Sequence, residues 1–566
     1  MLGQRSVSVD SANLNQLSNL TRHKSSFHSI NSTNMLNKFE AKDAIQYFMN
    51  EKTNNNSIYY GFFQCLIIFF VFIIFVPFIL DGTGSRQLYN SDHVTAYLLI
   101  EDLLKNPKDL FTWSLAPGRP YVFPDWLIAA GVVALPLPGA WSPLIYSALI
   151  MALYSVAGGA ILASATKCNV ISGTWVTALV LVICGYLTLW QSVGYPLSTG
   201  LYVVLMGPFI HTGAALVTLA GAALLIHLLY NDRGPAGSIG LGMLVFVSSF
   251  SDPSFVAWFV GPACTAGLLH RWASGRGSGA WLALLMATTA IAGSELERYL
   301  RAGESYLPAP NSFEHSIEVL KRVFWAGVDD AEYLTVVILL TAAALLIRGA
   351  ILTVGLIARR APTRGQMLEV LLAGICAAGI SAPIAARMIF DSASMRYFVI
   401  LMLVPMIWVI YHAMRFILAS PLQRFLQFAP VVLLFFCIPI AVPSWSAALR
   451  MVEPRPIQSC IEAAGMTAGL GEYWTAKRLM LMSDRRIHVV PIANGGWPYP
   501  WFTNLKWFTE RGDNGAPLRL EFIIPRKLDR EHLRRVFGAP DRVLTCGGET
   551  LWLYASPLSL PGNQYN

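Results

Sequence analysis

Twenty-three consecutive residues without a charge, IYYGFFQCLIIFFVFIIFVPFIL from Ile58 to Leu80, constrain this chain more than any other feature. As a helix such a run crosses roughly 30 Å of hydrocarbon at 1.5 Å per residue, and its backbone satisfies its own hydrogen bonds where water is absent. It does not read as a secretory signal, because a long polar stretch precedes it, it exceeds an h-region in length, and no small-residue cleavage site closes it. Composition points the same way: 55% of the 566 residues are hydrophobic and 13% charged, where soluble domains carry about a quarter charged. The chain reads as an integral membrane protein. Its 41 Lys+Arg against 33 Asp+Glu give a net +8; these cations fall largely in the N-terminal tail and in short loops, so the excess reports topology rather than nucleic-acid binding.

Hydropathy predicts ten further spans, near 141–164, 172–190, 209–230, 237–251, 253–270, 280–293, 333–357, 367–385, 396–416 and 425–442. The segment YVFPDWLIAAGVVALPLPG decides the parity. Kept at the outer surface, it leaves Lys167, Arg233, Arg271, Arg276, Arg359, Arg360, Arg364, Arg415 and Arg424 on inner loops with the N-terminus, as the positive-inside rule requires. Residues 1–57, rich in Asn, Ser and Lys, read as a largely disordered cytoplasmic tail. Three outer segments follow: a first loop at 81–140, a second at 294–332, and a C-terminal tail at 443–566.

A tail of about 120 residues is long enough to bury a core of its own. Helical stretches (CIEAAG, EYWTAKRLMLMSD, DREHLRRVFG) interleave with strand-like runs (IHVVPIA, RLEFIIP, RVLTC, ETLWLYA), the last two joined by Gly547-Gly548 as a tight hairpin. The fold class is therefore mostly α, polytopic, with a C-terminal α/β or α+β extracytoplasmic domain. Six cysteines (Cys65, Cys168, Cys184, Cys264, Cys376, Cys437) fall in or beside apolar runs without metal-ligand spacing and read as packing residues. Cys460 and Cys546 are available to each other for a disulfide if the domain is extracytoplasmic; spacing leaves that open.

The stretch YNSDHVTAYLLIEDLL opens the first outer loop. Ala96, Tyr97, Leu99, Ile100, Leu103 and Leu104 share one helical arc, with Thr95, Glu101, Asp102 and Lys105 opposite, which predicts a helix lying flat on the membrane. Asn90 and Ser91 can cap it, placing Asp92 and His93 at its N-terminus, where the helix dipole favours a carboxylate.

An acid soon after the first span, many spans, surface helices in a long first loop and a C-terminal outer domain resemble the GT-C superfamily of polyprenyl-dependent glycosyltransferases. The resemblance covers roughly residues 58–566 in architecture, and motif-level agreement rests on NSDH, with Asp92 as the acid, and on RPYVFPDW, which is similar to the Pro-containing stretch that follows it. There is no DD or DE pair, so a single carboxylate serves. The resemblance implies a sugar donor on undecaprenyl or a similar polyprenyl phosphate, and a bacterial inner membrane. Asp92 would take the proton of a glycan or glycolipid acceptor, which inverts the anomeric carbon, in the building of a cell-envelope polysaccharide.

Other candidates for substrate and lipid-phosphate binding are His93, Asp125, His211, Asp252, Arg298, Arg387, Arg396 and Tyr397. Arg396 opens RYF, a motif similar to one in other members of the superfamily, and a guanidinium offers a bidentate fork to a departing phosphate. Arg119 is a further candidate in the first outer loop, and several candidates have a structural alternative: Asp92 as helix cap, His211 as a hydrogen-bonded helix-end residue, Asp252 as turn residue, Arg298 paired with Glu295, Arg396 as interface anchor or paired with Asp391, and Asp125 as helix-start chemistry. Trp497, Tyr499, Trp501 and Trp507 offer sugar-stacking faces, interface anchors or core. No Walker motif, dinucleotide fingerprint, HExxH or Cys/His metal set occurs, and a divalent ion is not indicated, since Asp92 alone gives too few oxygen ligands. Two other readings are a lipid-linked glycan transporter, which commonly shows internal repeats and ionisable residues at mid-span, and an O-antigen ligase or polymerase, with its large outer loop late in the chain.

Overall fold

The computed structural model describes residues 61–80, 88–115, 120–166, 168–190, 204–208, 211–231, 235–300, 312–329, 333–358, 361–390, 392–509 and 518–561. The N-terminal tail and Arg119, Lys167, Arg233, Arg359, Arg360 and Asp391 lie outside these. The helices are α1 (Gly61–Leu80), α2 (Ser91–Lys105), α3 (Leu127–Val133), α4 (Ser142–Ala165), α5 (Val170–Trp190), α6 (Thr212–Tyr230), α7 (Pro235–Ser251), α8 (Gly261–Ser274) and α9 (Ser278–Leu300). There follow α10 (Phe313–Asp329), α11 (Tyr333–Ile357), α12 (Arg364–Ala385), α13 (Ile400–Leu418), α14 (Ala429–Cys437), α15 (Ala441–Val452), α16 (Pro456–Ala463), α17 (Tyr473–Met482) and α18 (Arg530–Phe537).

Among the described residues, nine helices are long and apolar enough to cross a membrane, consistent with an integral membrane protein. They correspond to nine of the eleven expected spans. The other two differ for local reasons. α7 holds only 17 residues, and the expected span at 253–270 is divided: a short turn at Pro253–Phe255 and a widened π turn at Val256–Val260 precede α8. The last span continues to Val452 rather than ending near 442, because the chain passes Pro439 through a 3-10 turn at Ile438–Ile440 and resumes as α15, with Pro443 in its first turn. The apolar helix at Val122–Val133, in the segment that decided parity, is shorter than the helices long enough to cross. α9 runs on to Leu300, absorbing the charged residues expected to open the second loop.

Among the described residues an ion cluster joins three helices of the bundle, two of its members lying partly open to the surface. Glu369 of α12, 1% exposed, takes Arg348 of α11 at 3.0 Å and His412 of α13 at 3.5 Å.

The strands are β1 (Trp113–Ser114), β2 (Ala468–Glu472), β3 (His488–Ile492), β4 (Thr503–Asn504), β5 (Leu520–Ile524), β6 (Arg542–Cys546) and β7 (Glu549–Leu558). Five form a mixed sheet in the order β3-β2-β5-β7-β6, parallel at β2–β3 and β2–β5 and antiparallel at β5–β7 and β7–β6. The hairpin turn has φ of 59° at Gly547 and 84° at Gly548, the two positive values that a tight two-residue turn needs. Cys460 of α16 and Cys546 of β6 form a disulfide. β2, AGLGE, was not expected: its glycines carry no strand propensity, but Gly469 lies under the ring of Phe522, whose carbon would stand 2.4 Å from any added Cβ.

This domain does not stand apart. One small core, with Ile457, Leu479, Val489, Phe522 and Leu551, belongs to it alone, while Leu470, Met480, Ile523 and Trp552 join the continuous core of the helical bundle. The link is α2. Rather than lying on a membrane surface, it is covered on both sides, with Val94, Tyr97 and Leu99 buried and also Ser91, Thr95 and Asp102. Asp102 accepts from Trp113 Nε1 at 3.0 Å and Asn504 Nδ2 at 2.9 Å, and Arg485 reaches Asp102 at 2.8 Å and Glu101 at 2.7 Å. β1 of the first loop pairs with β4 of the domain. The amphipathic reading failed because the polar face of α2 is matched by polar groups almost 400 positions away.

Replacing Arg485 with Met strands two carboxylates, one of them 2% exposed. The expected loss is about 3 to 5 kcal/mol, read as a lowered thermal unfolding midpoint of the purified protein; an unchanged midpoint contradicts this role for the clamp.

Candidate functional site

The N-terminus of α2 meets the bundle and the C-terminal domain at one point. Asn90, not Asp92, caps the helix, its side chain accepting from His93 N at 3.1 Å, so Asp92 has no capping duty. Ser91 turns its hydroxyl to the Tyr473 carbonyl at 2.6 Å. Asp92 is partly exposed, and its Oδ1 accepts from the Tyr473 phenol at 2.8 Å. Tyr473 opens α17 and packs edge-on against Tyr499, with ring centres 5.3 Å apart. Burial and the carboxylate beside it both push the Tyr473 phenol well above its ordinary pKa, so it remains a donor.

One turn further, Lys477 is fully buried. Its Nζ donates to Thr95 Oγ1 at 2.7 Å and to the Phe502 carbonyl, and lies 4.4 Å from the centre of the Tyr473 ring. Burial drives its pKa well down, offset in part by Asp92.

His93 faces the bundle. Its Nδ1 donates to the Pro208 carbonyl at 3.1 Å, which assigns that proton because a carbonyl only accepts. The ring lies on Gly207, where an added Cβ would stand 1.7 Å from the imidazole. Burial lowers its pKa to about 4, against the pull of Asp92.

Across from α2, Arg396 stands at the start of the α13 span, within electrostatic reach of Asp92 and Tyr121. Its guanidinium carbon is 5.3 Å from the centre of the adjacent Tyr397 ring. Tyr397 packs on His211 with ring centres 5.1 Å apart, and Tyr121 and Trp258 enclose the same imidazole at 5.7 and 5.8 Å. His211 Nδ1 lies 2.6 Å from Asp252 Oδ2 and 2.9 Å from the Ser254 hydroxyl, while Asp252 Oδ1 caps the following turn through Ser254 N at 2.9 Å. Asp252 therefore serves both the turn and the imidazole.

Asp125 is buried behind this dyad. It accepts from the Tyr146 hydroxyl at 2.7 Å and presses on the first turn of α6, where an added Cβ on Gly213 would stand 2.2 Å from its Oδ2. Two sequence candidates do not join. Arg298 is paired with Glu295 at 2.6 Å on an exposed helix end, and Arg387 is exposed in the turn after α12. Neither touches the cluster among the described residues.

Three of its members share a costly backbone. Tyr121, His211 and Phe502 have φ of 52°, 60° and 46°, a left-handed conformation that bulky residues rarely take. Their rings are in mutual contact, Tyr121 with His211 and, stacked at 6.4 Å, with Phe502. Conformations of this kind persist where the surroundings over-determine them, and they concentrate at functional sites.

Beside the cluster an apolar cleft of about 900 Å³ opens between α4 and α6. Phe123 and Pro124 form one end and His227, Asn231 and Arg364 the other, with Ala157, Ala160 and Leu216 among the residues between. Among the described residues, no three His, Cys, Asp or Glu side chains are grouped to hold a metal ion. The sequence signalled Asp92, His211, Asp252 and Arg396 as polar residues at the ends of apolar runs; Tyr473, Lys477 and Phe502 carried no such signal. No family model matches the chain, and no curated protein or solved structure matches it.

His93 gives a pH signature. The folded protein keeps it neutral down to about pH 4, while in the unfolded chain it titrates near 6.5. Between those values the unfolded state binds the extra proton, so this contribution is complete above pH 6.5 and falls as pH drops toward 4, by at most about 3 kcal/mol. His93→Gln should flatten that part of the stability profile, measured as unfolding midpoints at pH 7, 5.5 and 4.5; parallel profiles for both proteins contradict it.

Proposed function

We propose that the protein is an inverting, membrane-bound glycosyltransferase that moves a sugar from a polyprenyl-phosphate donor to a glycan or glycolipid acceptor at the extracytoplasmic face. The observation that carries this reading is the convergence of Asp92, with lone pairs left beyond its bond to Tyr473, and the cation Arg396 at one point between the helical bundle and the C-terminal domain. In this reading Asp92 accepts the proton of the attacking hydroxyl, and Arg396 stabilises the charge that grows on the leaving phosphate as the glycosyl bond breaks. Tyr473 holds the carboxylate in place. The His211–Asp252 dyad is enclosed by aromatic rings and 1% exposed at the imidazole, which suits it to orienting Tyr397 and Tyr121 rather than to meeting substrate.

The apolar cleft supports the donor class. It starts at Phe123, next to the cluster, and follows α4 and α6 along the bundle, so a long hydrocarbon tail can lie in it while a phosphate remains near Arg396. The Cys460–Cys546 disulfide supports an extracytoplasmic domain, since such bonds persist in oxidising compartments. A lipid-linked glycan transporter is the second reading, favoured by one observation: the Glu369–Arg348–His412 cluster within the bundle, because ionisable groups at membrane depth commonly mark transport paths.

Purified protein in lipid nanodiscs, supplied with a panel of polyprenyl-phosphate sugars, should release polyprenyl phosphate. Asp92→Asn is expected to lower kcat by about 10² to 10⁴ with little change in donor KM, whereas Arg396→Gln should lower kcat and weaken donor binding together. Full turnover by Asp92→Asn would falsify the assignment of the base. Flipping of the lipid-linked sugar without chemistry, lost in Glu369→Gln and kept in Asp92→Asn, would favour transport.

A further inference from the structure

A second cavity, of about 460 Å³, lies between the C-terminal domain and Tyr89 and Asn90 at the start of α2, and the proposed transfer reaction does not use it. It opens where two neighbouring parallel strands end: Glu472 closes β2, Arg526 and Lys527 follow β5, and Gly547 in the β6–β7 turn forms another wall. From β2 the chain crosses through α17 to β3 on one side, while β5 pairs on the other. In open α/β sheets this divergence, at the carboxyl ends of the strands, is where the ligand crevice lies.

Four cations line the cavity, Arg455, Arg478, Arg526 and Lys527, against two carboxylates, Glu472 and Glu549. Each carboxylate already has a partner, although Glu549 Oε2 is buried without a hydrogen bond. Glu472 caps α17, accepting from Trp474 N at 3.0 Å and Thr475 Oγ1 at 2.8 Å. Glu549 binds Arg526 at 2.7 Å, with Arg455 at 4.0 Å.

Among the described residues Arg478 makes no ion pair, although Glu549 attracts it at longer range. Its guanidinium lies 5.4 Å from the centre of the Tyr89 ring, and its Nε is buried with no hydrogen-bond acceptor. A largely desolvated guanidinium without an acceptor is unfavourable until an anion arrives. Burial and the repulsion of Arg455 also pull its pKa down to about 9. Lys527 reaches the cavity from a backbone with φ of 58°, left-handed for a residue other than glycine. Pro456 and Ile457, the first turn of α16, face the cavity as well, and the residue before them makes no side-chain cap, so the positive end of a helix adds to the cations.

We infer that this cavity binds a sugar-sized anion, a phosphate or carboxylate carried on a saccharide, with Arg478 as its bidentate partner and Lys527 as a second charge. The indole of Trp474, 46% exposed and on the cavity wall, offers a face for the sugar ring. A volume of about 460 Å³ falls in the range of small-molecule sites. The inference is independent of the transferase reading, since it needs no reaction.

The test is calorimetric titration of the full-length protein in nanodiscs with glucose 6-phosphate, with glucuronate and with glucose. At least one anion should bind saturably and glucose should not; which anion binds decides between phosphate and carboxylate. Losing a charge-assisted hydrogen bond corresponds to about a tenfold weakening or more, expected for Arg478→Gln, with a several-fold weakening for the exposed Lys527→Gln and a decline with added salt. Circular dichroism and thermal unfolding verify that the variants are folded; if Arg478→Gln is not, Lys527→Gln decides alone. The inference fails if neither anion binds the folded wild type saturably, if glucose binds as well as the anions, or if the folded variants keep wild-type affinity.

Discussion

The grip of Arg485 on Glu101 and Asp102 is the interaction on which the rest depends. It fastens the C-terminal domain to α2, and α2 in turn is packed on the helical bundle, so the acid at the other end of the same helix is positioned by both bodies at once. Along the seam the bonds are reciprocal: Ser91 donates to the domain's backbone, Tyr473 donates to Asp92, and Lys477 donates to Thr95, whose hydroxyl continues to the Ser91 carbonyl. Such a buried polar network is stable only when its members are satisfied, and a partly broken one costs more than an apolar seam. The two acidic clusters of α2 thus differ in kind: Glu101 and Asp102 hold, while Asp92 is left with lone pairs to use.

Much of this was legible in the residues. Long apolar runs gave nine helices that, among the described residues, are long and apolar enough to cross a membrane, because hydropathy over a window is a strong signal, and turn glycines with alternating apolar residues gave β3, β5, β6 and β7. β2 was invisible since its role depends on the Phe522 ring covering Gly469, a contact between distant residues. The flat placement of α2 was wrong for a related reason. A helix whose polar face meets matched polar groups has the same amphipathic pattern as one that floats at an interface, and only the fold distinguishes them. In the site, isolated polar residues at span ends were readable, whereas Tyr473 and Lys477 looked like ordinary members of a domain helix.

Backbone strain recurs at three places in the fold. Tyr121, His211 and Phe502 at the cluster, Arg485 with Asp484 at the seam, and Lys527 at the basic cavity all take left-handed φ, and with Arg387 they are the described non-glycine residues that do so. A left-handed turn costs of order 1 to 3 kcal/mol for a non-glycine residue. Its recurrence at those three places marks positions where the direction of a side chain outweighs local comfort.

The distance in sequence across the seam also orders events in time. Asp92 and Tyr473 are separated by 381 positions, and at about 5 to 20 residues per second a ribosome needs roughly 20 to 75 s to traverse that interval. Throughout that delay the newborn α2 has no domain to cover its polar side, and water must serve its carboxylates and hydroxyls instead. Asp92 is therefore among the first of the seam's groups delivered, and its partner Tyr473 arrives only after most of the helical bundle has been made.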